Sequence, residues 1–149
     1  MNVGEARVRF AEARVARLAT ADADGRPHVV PIVFALLDER LYSAIDLKPK
    51  AHGGPSARLR RLDNIRTNPA VSVLVDDYAE DWRQLWWARA DGTARVIAAT
   101  EAEAVRAIAA LSDRYPQYRD TPPPGPVIAI AVHRWSGWVA RGYPDTANR

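Results

Sequence analysis

"VARLATADADGRPHVVPIVFALLDERLYSAI", residues 15–45, decides how the chain folds. Its first segment, "VARLATA", puts Val15, Arg17 and Ala19 on one side and Ala16, Leu18 and Thr20 on the other, which is the period of a strand. "DADGRP" then supplies the acid, glycine and proline expected at a turn. "HVVPIVFALL", residues 28–37, reads as a second strand because valines, isoleucine and phenylalanine suit a pleated surface. Pro31 lacks an N–H, so it predicts an edge, a bulge or an interruption there. "DER" is short enough to reverse the chain before a third strand, "LYSAI". Links this short join neighbouring antiparallel strands.

Upstream, an amphipathic helix is predicted from Val3 to Ala13. Downstream, "AHGGPS" loosens the chain, and "ARLRRLDNI" reads as a helix whose buried stripe is Leu59, Leu62 and Ile65. "TNP" stops it, and "AVSVLV" is the next strand. "LWWARADGTARVI" is either one long bent strand or a hairpin turning at Asp91–Gly92. Thr100 with Glu103 predicts a capping box for a helix through Leu111, which "YPQYRDTPPPGP" does not continue. The chain closes with the strand "VIAIAV" and the aromatic-rich "HRWSGW". This order is mainly β with accessory helices. It lacks the repeated crossover helices of a doubly wound sheet, and a closed or split β-barrel would remove its exposed edges. We expect one domain spanning residues 1–149.

The 149 residues, 48% of them hydrophobic, suffice for one core of ordinary size. With no cysteine there is no disulfide framework, thiolate nucleophile, iron–sulfur centre or cysteine-ligated zinc. The first twenty residues carry charges throughout, with no signal-peptide segment, and no apolar run reaches membrane-span length. The expected location is the cytoplasm, with no membrane partner. A net charge of +3 favours anionic partners only weakly, and the local basic cluster says more than the total.

That cluster is "DLKPK", where Lys48 and Lys50 flank a stiffening proline. Two adaptable ammonium groups can clamp a phosphate, or form an ordinary solvated loop. Arg58, Arg60 and Arg61 can extend the positive surface. Arg17, inside a strand pattern, can reach an anionic ligand, snorkel to solvent or pair with an acid. His28, His52 and His133 have no metal-ligand spacing, and none of Ser43, Ser56, Ser72, Ser112 and Ser136 sits in a G-x-S-x-G elbow. Neither G-x-G-x-x-G nor a P-loop occurs. The aromatics do not interleave with basic residues as a recognition strip, so nucleic acid is not expected as a partner. Of the five tryptophans, Trp86 and Trp87 read as interface or core, and Trp138 is placed to close a neighbouring subunit's pocket.

The order and spacing of "ARLATADADGRPHVVPIVFAL", "LYSAIDLKPK", "RLRRLDNIRTNPAVSVLVDDY", "LWWARADGTARVI" and "HRWSGW" resemble the pyridoxamine-phosphate-oxidase-like split-barrel superfamily. The likeness runs from Val15 to Gly142 and leans toward the actinobacterial branch of coenzyme F420-dependent oxidoreductases. It implies an FMN-binding-type split barrel, and a homodimer with two cofactor sites between subunits. It also implies hydride transfer between F420, or alternatively FMN, and a small organic molecule. On this resemblance Lys48 and Lys50 would hold the cofactor phosphate, and Ser43, Ala44, Ile45 and Asp46 would run beside the ribityl chain or ring. Arg26, Pro27, His28 and Pro31 would approach the ring, with Arg17 and Trp138 as further contacts. Non-enzymatic binding of a flavin, F420 or haem is the other class of reading, with His28 or His133 as axial ligand for haem.

Overall fold

The computed structural model of the protein describes residues 1–45 and 59–140. Strands β1 (Ala16–Ala21) and β2 (Pro27–Ile32) form the predicted hairpin, in register from Ala16↔Ile32 to Ala21↔Pro27. The Asp22 carboxylate holds the turn by accepting from the N–H groups of Asp24 and Arg26, each at 2.9 Å. Gly25 follows at φ +82°, a left-handed conformation that glycine takes without strain. Next come β3 (Ala35–Leu37), β4 (Arg40–Ala44), β5 (Ala70–Asp77), β6 (Trp86–Ile97) and β7 (Val127–Val139). All described pairings are antiparallel, in the order β2-β1-β5-β6-β7-β4-β3.

That order contains the fold's main constraint. β2 and β3 stand at opposite ends of the sheet, yet only Val33 and Phe34 separate them in the chain. Three Cα steps reach at most about 11 Å. The two ends of the sheet therefore lie side by side, and the sheet is rolled into a barrel split at this seam. The run 28–37 is not one strand, as its composition predicts, but two strands on either side of a corner. Pro31 lies on the edge strand, where a missing N–H breaks no ladder. At the corner Phe34 is fully buried, and its N–H donates to the Tyr115 hydroxyl at 3.2 Å. The same hydroxyl lies 2.9 Å from the Phe34 carbonyl and 3.0 Å from that of Arg14. A side chain from far along the chain thus satisfies backbone groups that the sheet abandons.

The barrel interior holds Leu18, Phe34, Leu41, Val73, Val75, Ile128 and Ile130. Helix α1 (Val3–Glu12) closes one end by inserting Phe10 edge-on against Phe34 and Trp135, with ring centroids 5.9 and 5.1 Å apart. It starts in a capping box between Asn2 and Glu5 that the sequence reading missed. Helix α2 (Arg60–Thr67) packs Leu62 and Ile65 onto the same core, while Leu59, predicted inside the helix, is its N-cap. β6 is the long bent strand rather than the hairpin, with its irregularity at Asp91/Gly92. A Cβ on Gly92 would run into the carbonyl oxygen of Ala131, so β6 and β7 approach there only because glycine has none.

Outside the barrel, α3 (Ala102–Arg114) and the short α4 (Pro116–Asp120) cover one part of the sheet. Their Ala104, Ala107, Leu111 and Tyr118 make a second core with Tyr42, Ala44, Ile97, Val127 and Ala129. The capping box expected at Thr100 and Glu103 does not form. The N-cap is Glu101 with no side-chain cap, and α3 runs past Leu111 to Arg114. Glu103 is drawn instead to strand residues: it accepts from Arg40 at 2.7 Å, from the Tyr42 hydroxyl at 2.8 Å, and from Arg95. "HRWSGW" is not a tail but the second half of β7, paired with β6 out to Trp86↔Val139.

Candidate functional site

Along β2 the side chains alternate, with Pro27, Val29 and Pro31 facing outward and His28, Val30 and Ile32 facing the barrel. His28 stands opposite Thr20 of β1. Thr20 is buried and accepts from the Asn64 side-chain amide of α2 at 3.0 Å, which pins that helix over this end of the hairpin. Helical residues three and four apart share a face. Arg61 and Arg60 therefore project one turn before Asn64, beside His28. Burial, followed by the fields of Arg60 and Arg61, holds the His28 imidazole below its ordinary pKa. The ring is thus mostly neutral at pH 7. Its Nδ1 is buried and has no hydrogen-bond partner among the described residues. Two guanidiniums and an imidazole with an unused nitrogen are a donor set suited to an oxyanion such as phosphate or carboxylate.

The lysine segment joins this cluster covalently: residues 46–58 lead from Ile45 to Leu59, immediately before Arg60. Asp46, Lys48, Lys50 and Arg58 lie outside the described residues, so the phosphate-clamp expectation stands as a sequence reading. The other expected residues do not form one group within the chain. Ser43 is buried on the barrel side of β4, whereas Ala44 is buried beneath α3. Ile45 packs at the edge of the inner core, and its N–H donates to the Pro126 carbonyl at 3.0 Å. Arg26 is exposed in the β1–β2 turn.

Arg17, Pro27 and Pro31 face outward on the part of the sheet that α3 and α4 leave uncovered. Arg17 takes one of the alternatives open to it by pairing with Asp76 of β5 at 3.3 Å. Trp138 is on the same outer face, paired across strands with Trp87. β5 and β6 separate it from Arg17, and with strands ~4.8 Å apart the two columns are about 14 Å from each other. Two of the hollows on this face are lined by described residues of β5 and β6. One, of about 400 Å³, is lined by Leu74, Asp76, Tyr78, Trp87 and Arg89. The other, of about 540 Å³, is bordered by Pro27, Ser72, Asp91 and His133. His133 Nε2 lies 2.6 Å from the Thr93 hydroxyl, and no metal-binding cluster occurs among the described residues. No described helix is long and apolar enough to cross a membrane.

The sequence reading treated His28 and the arginines as separate candidates, and missed that Thr20 and Asn64 draw them together. Both residues are in plain view in the sequence, but nothing local marks them as partners 44 positions apart.

A mainly antiparallel split barrel with accessory helices, carrying a basic cluster at the end of its first hairpin, defines the class of protein. The chain belongs to the pyridoxamine 5'-phosphate oxidase family, whose model matches residues 3–139. A FAD-binding protein from Mesorhizobium loti is similar at 25% identity, over 92% of this chain and 94% of that one, with a TM-score of 0.71. A conserved hypothetical protein from Mycobacterium tuberculosis shares the fold at TM-score 0.75 and 23% identity, over 98% and 91% of the two chains. The heme storage protein HutZ from Vibrio cholerae shares it at 0.70 and 20%, over 93% and 95%. No curated protein matches the sequence.

Proposed function

We propose that the protein is an oxidoreductase that holds a flavin-type cofactor in clefts between two copies of the chain, with coenzyme F420 as the cofactor and FMN as the alternative. The observation that carries this reading is the cluster of His28, Arg60 and Arg61, joined through α2 to the segment bearing Lys48 and Lys50. The guanidinium and ammonium groups would grip the phosphate common to both cofactors, with the His28 ring beside them. A longer anionic tail such as that of F420 would find the additional guanidiniums. The FAD-binding relative supports the FMN alternative. When bound, the cofactor supplies hydride chemistry to a small organic acceptor or donor. The chain's residues bind and orient it and exclude water, and Arg17, Pro31 and Trp138 offer outward-facing contacts that a second copy would bring into one cleft.

A homodimer is also supported by the uncovered face, where Val29 is 61% and Trp138 38% exposed. Binding without turnover is the second reading. The neutral His28 imidazole has a nitrogen without a partner among the described residues, which suits an axial ligand, and a heme storage protein shares the fold.

Anaerobic titration of the purified protein with F420, FMN and haem, followed by absorbance, tests the proposal. The expected result is binding of F420 or FMN, weakened about tenfold or more by Arg61→Gln or by neutralising Lys48 and Lys50, since one charge-assisted hydrogen bond contributes roughly 1.5–3 kcal/mol. Binding of haem alone, lost in His28→Gln, would replace it with the second reading. Unchanged flavin and F420 affinity in the basic-residue variants would remove the clamp.

A further inference from the structure

His28 is an unusual neighbour for two arginines, because a neutral ring with an unused nitrogen does nothing for them. An oxyanion docked against Arg60 and Arg61 changes its surroundings in two ways. It offsets the positive field that discourages a proton on the ring, and it presents an acceptor to Nδ1. An oxyanion only accepts hydrogen bonds, so Nδ1 bonds to it only as N–H. We propose that His28 takes a proton from solvent onto its ring when an anionic group docks against Arg60 and Arg61, so that this site binds its anion with proton uptake. The inference rests on the anion-site reading given above and adds its proton linkage.

Among the described residues, the elements around His28 bring no free carboxylate against its ring. β1 presents the Thr20 hydroxyl, already engaged by Asn64. α2 presents Arg60 and Arg61, both of which disfavour the imidazolium. In the adjoining turn the Asp22 carboxylate is held by two backbone N–H groups, and Arg26 is exposed. Among the described residues, the charge that would stabilise a protonated His28 therefore has to arrive with the ligand. The linkage has a defined sign and window. Below the free-state pKa the ring is protonated with or without ligand, and above the bound-state pKa it is neutral in both. Between them, affinity rises as pH falls, at most about tenfold per pH unit for one proton.

Ring NMR of His28 between pH 5 and 8, with and without sodium sulfate and FMN, provides the test, because sulfate itself does not titrate in this range. His28→Gln assigns the signal. Arg60→Gln/Arg61→Gln serves as a second variant that keeps the imidazole. Expected is an upward move of the His28 titration by about one unit or more with either anion, lost in the double arginine variant. Binding of FMN that leaves the His28 titration unmoved would overturn the inference while the cofactor reading stands. A sulfate-dependent move in a protein that binds neither FMN nor F420 would uphold the inference and sink the cofactor reading. A neutral Nδ1–H tautomer making the same hydrogen bond would show no proton uptake, and would also overturn it.

Discussion

Two stretches of β7 meet different surroundings on the outer side of the sheet. Val127 and Ala129 lie at 0% and 2% exposure beneath α3, while Trp138 on the same side is 38% exposed, with Trp87 beside it. The covered part is completed by the chain's own helices and has the small and aliphatic residues of a core. The uncovered part has Val29, Leu74, Trp87 and Trp138 set among charged pairs such as Arg17–Asp76 and Arg89–Asp91, the mixture expected where a second surface comes and goes. Stability is therefore concentrated in the covered half of the outer face, and the proposed pairing with a second copy would use the other.

The largest effect should come from breaking the covered half. Leu111→Ala removes a fully buried side chain from between α3 and the sheet, and should cost about 2–5 kcal/mol in urea unfolding, by lost burial plus a residual cavity. A loss under ~1 kcal/mol would mean that α3 is only loosely seated.

A smaller loss, about 1 kcal/mol at pH 7, is expected for Glu103→Gln, because its arginine partners are half-exposed to solvent. This variant also sharpens the comparison through pH. The hydrogen bond from Arg95, with those from Tyr42 and Arg40, holds the Glu103 carboxyl down at about 2, below its ordinary value of 4.5. A depressed carboxylate contributes stability that is fully present above its unfolded value and is lost as pH falls through the folded one. Wild type should lose this contribution between about pH 4.5 and 2, and Glu103→Gln should lack that component of its acid unfolding curve. Parallel wild-type and variant curves across that range would show that the Glu103 cluster adds nothing.

The smallest effect on folding is expected at the uncovered half. Val29→Glu should change the stability of the dissociated chain by less than ~0.5 kcal/mol, yet convert a species of twice 16.5 kDa to one of single mass in sedimentation. A wild-type protein that already sediments as a single chain would remove the second copy from the proposal.

Much of the fold was legible in the sequence. The period-two alternation of "VARLATA" put Leu18 and Arg17 on opposite sides, which the barrel makes inward and outward, "DADGRP" marked the hairpin turn, and of the edge, bulge or interruption open at Pro31 the structure has the edge. Long, locally coded elements read well because their patterns repeat over several residues. The corner at Val33–Phe34 did not, since an apolar run looks the same whether it continues or turns. Glu103 was misread for a related reason: its capping box is a local option, and Arg40 and Arg95 outcompete it from a distance. Of the candidate site, the residue types were visible, but their grouping was not.

By itself the sequence determined an antiparallel β domain, its hairpins, and the presence of a basic segment after the strand "LYSAI", because backbone period, turn chemistry and charge are properties of neighbouring residues. Only the tertiary structure decided that the sheet's two ends meet at Phe34, that α3 and α4 cover one part of its outer face and not the other, and that His28 lies in the field of Arg60 and Arg61. Those outcomes depend on contacts such as Thr20 with Asn64 and Phe34 with Tyr115, between groups 44 and 81 positions apart, and distance along a chain says nothing about distance in space until the sheet closes.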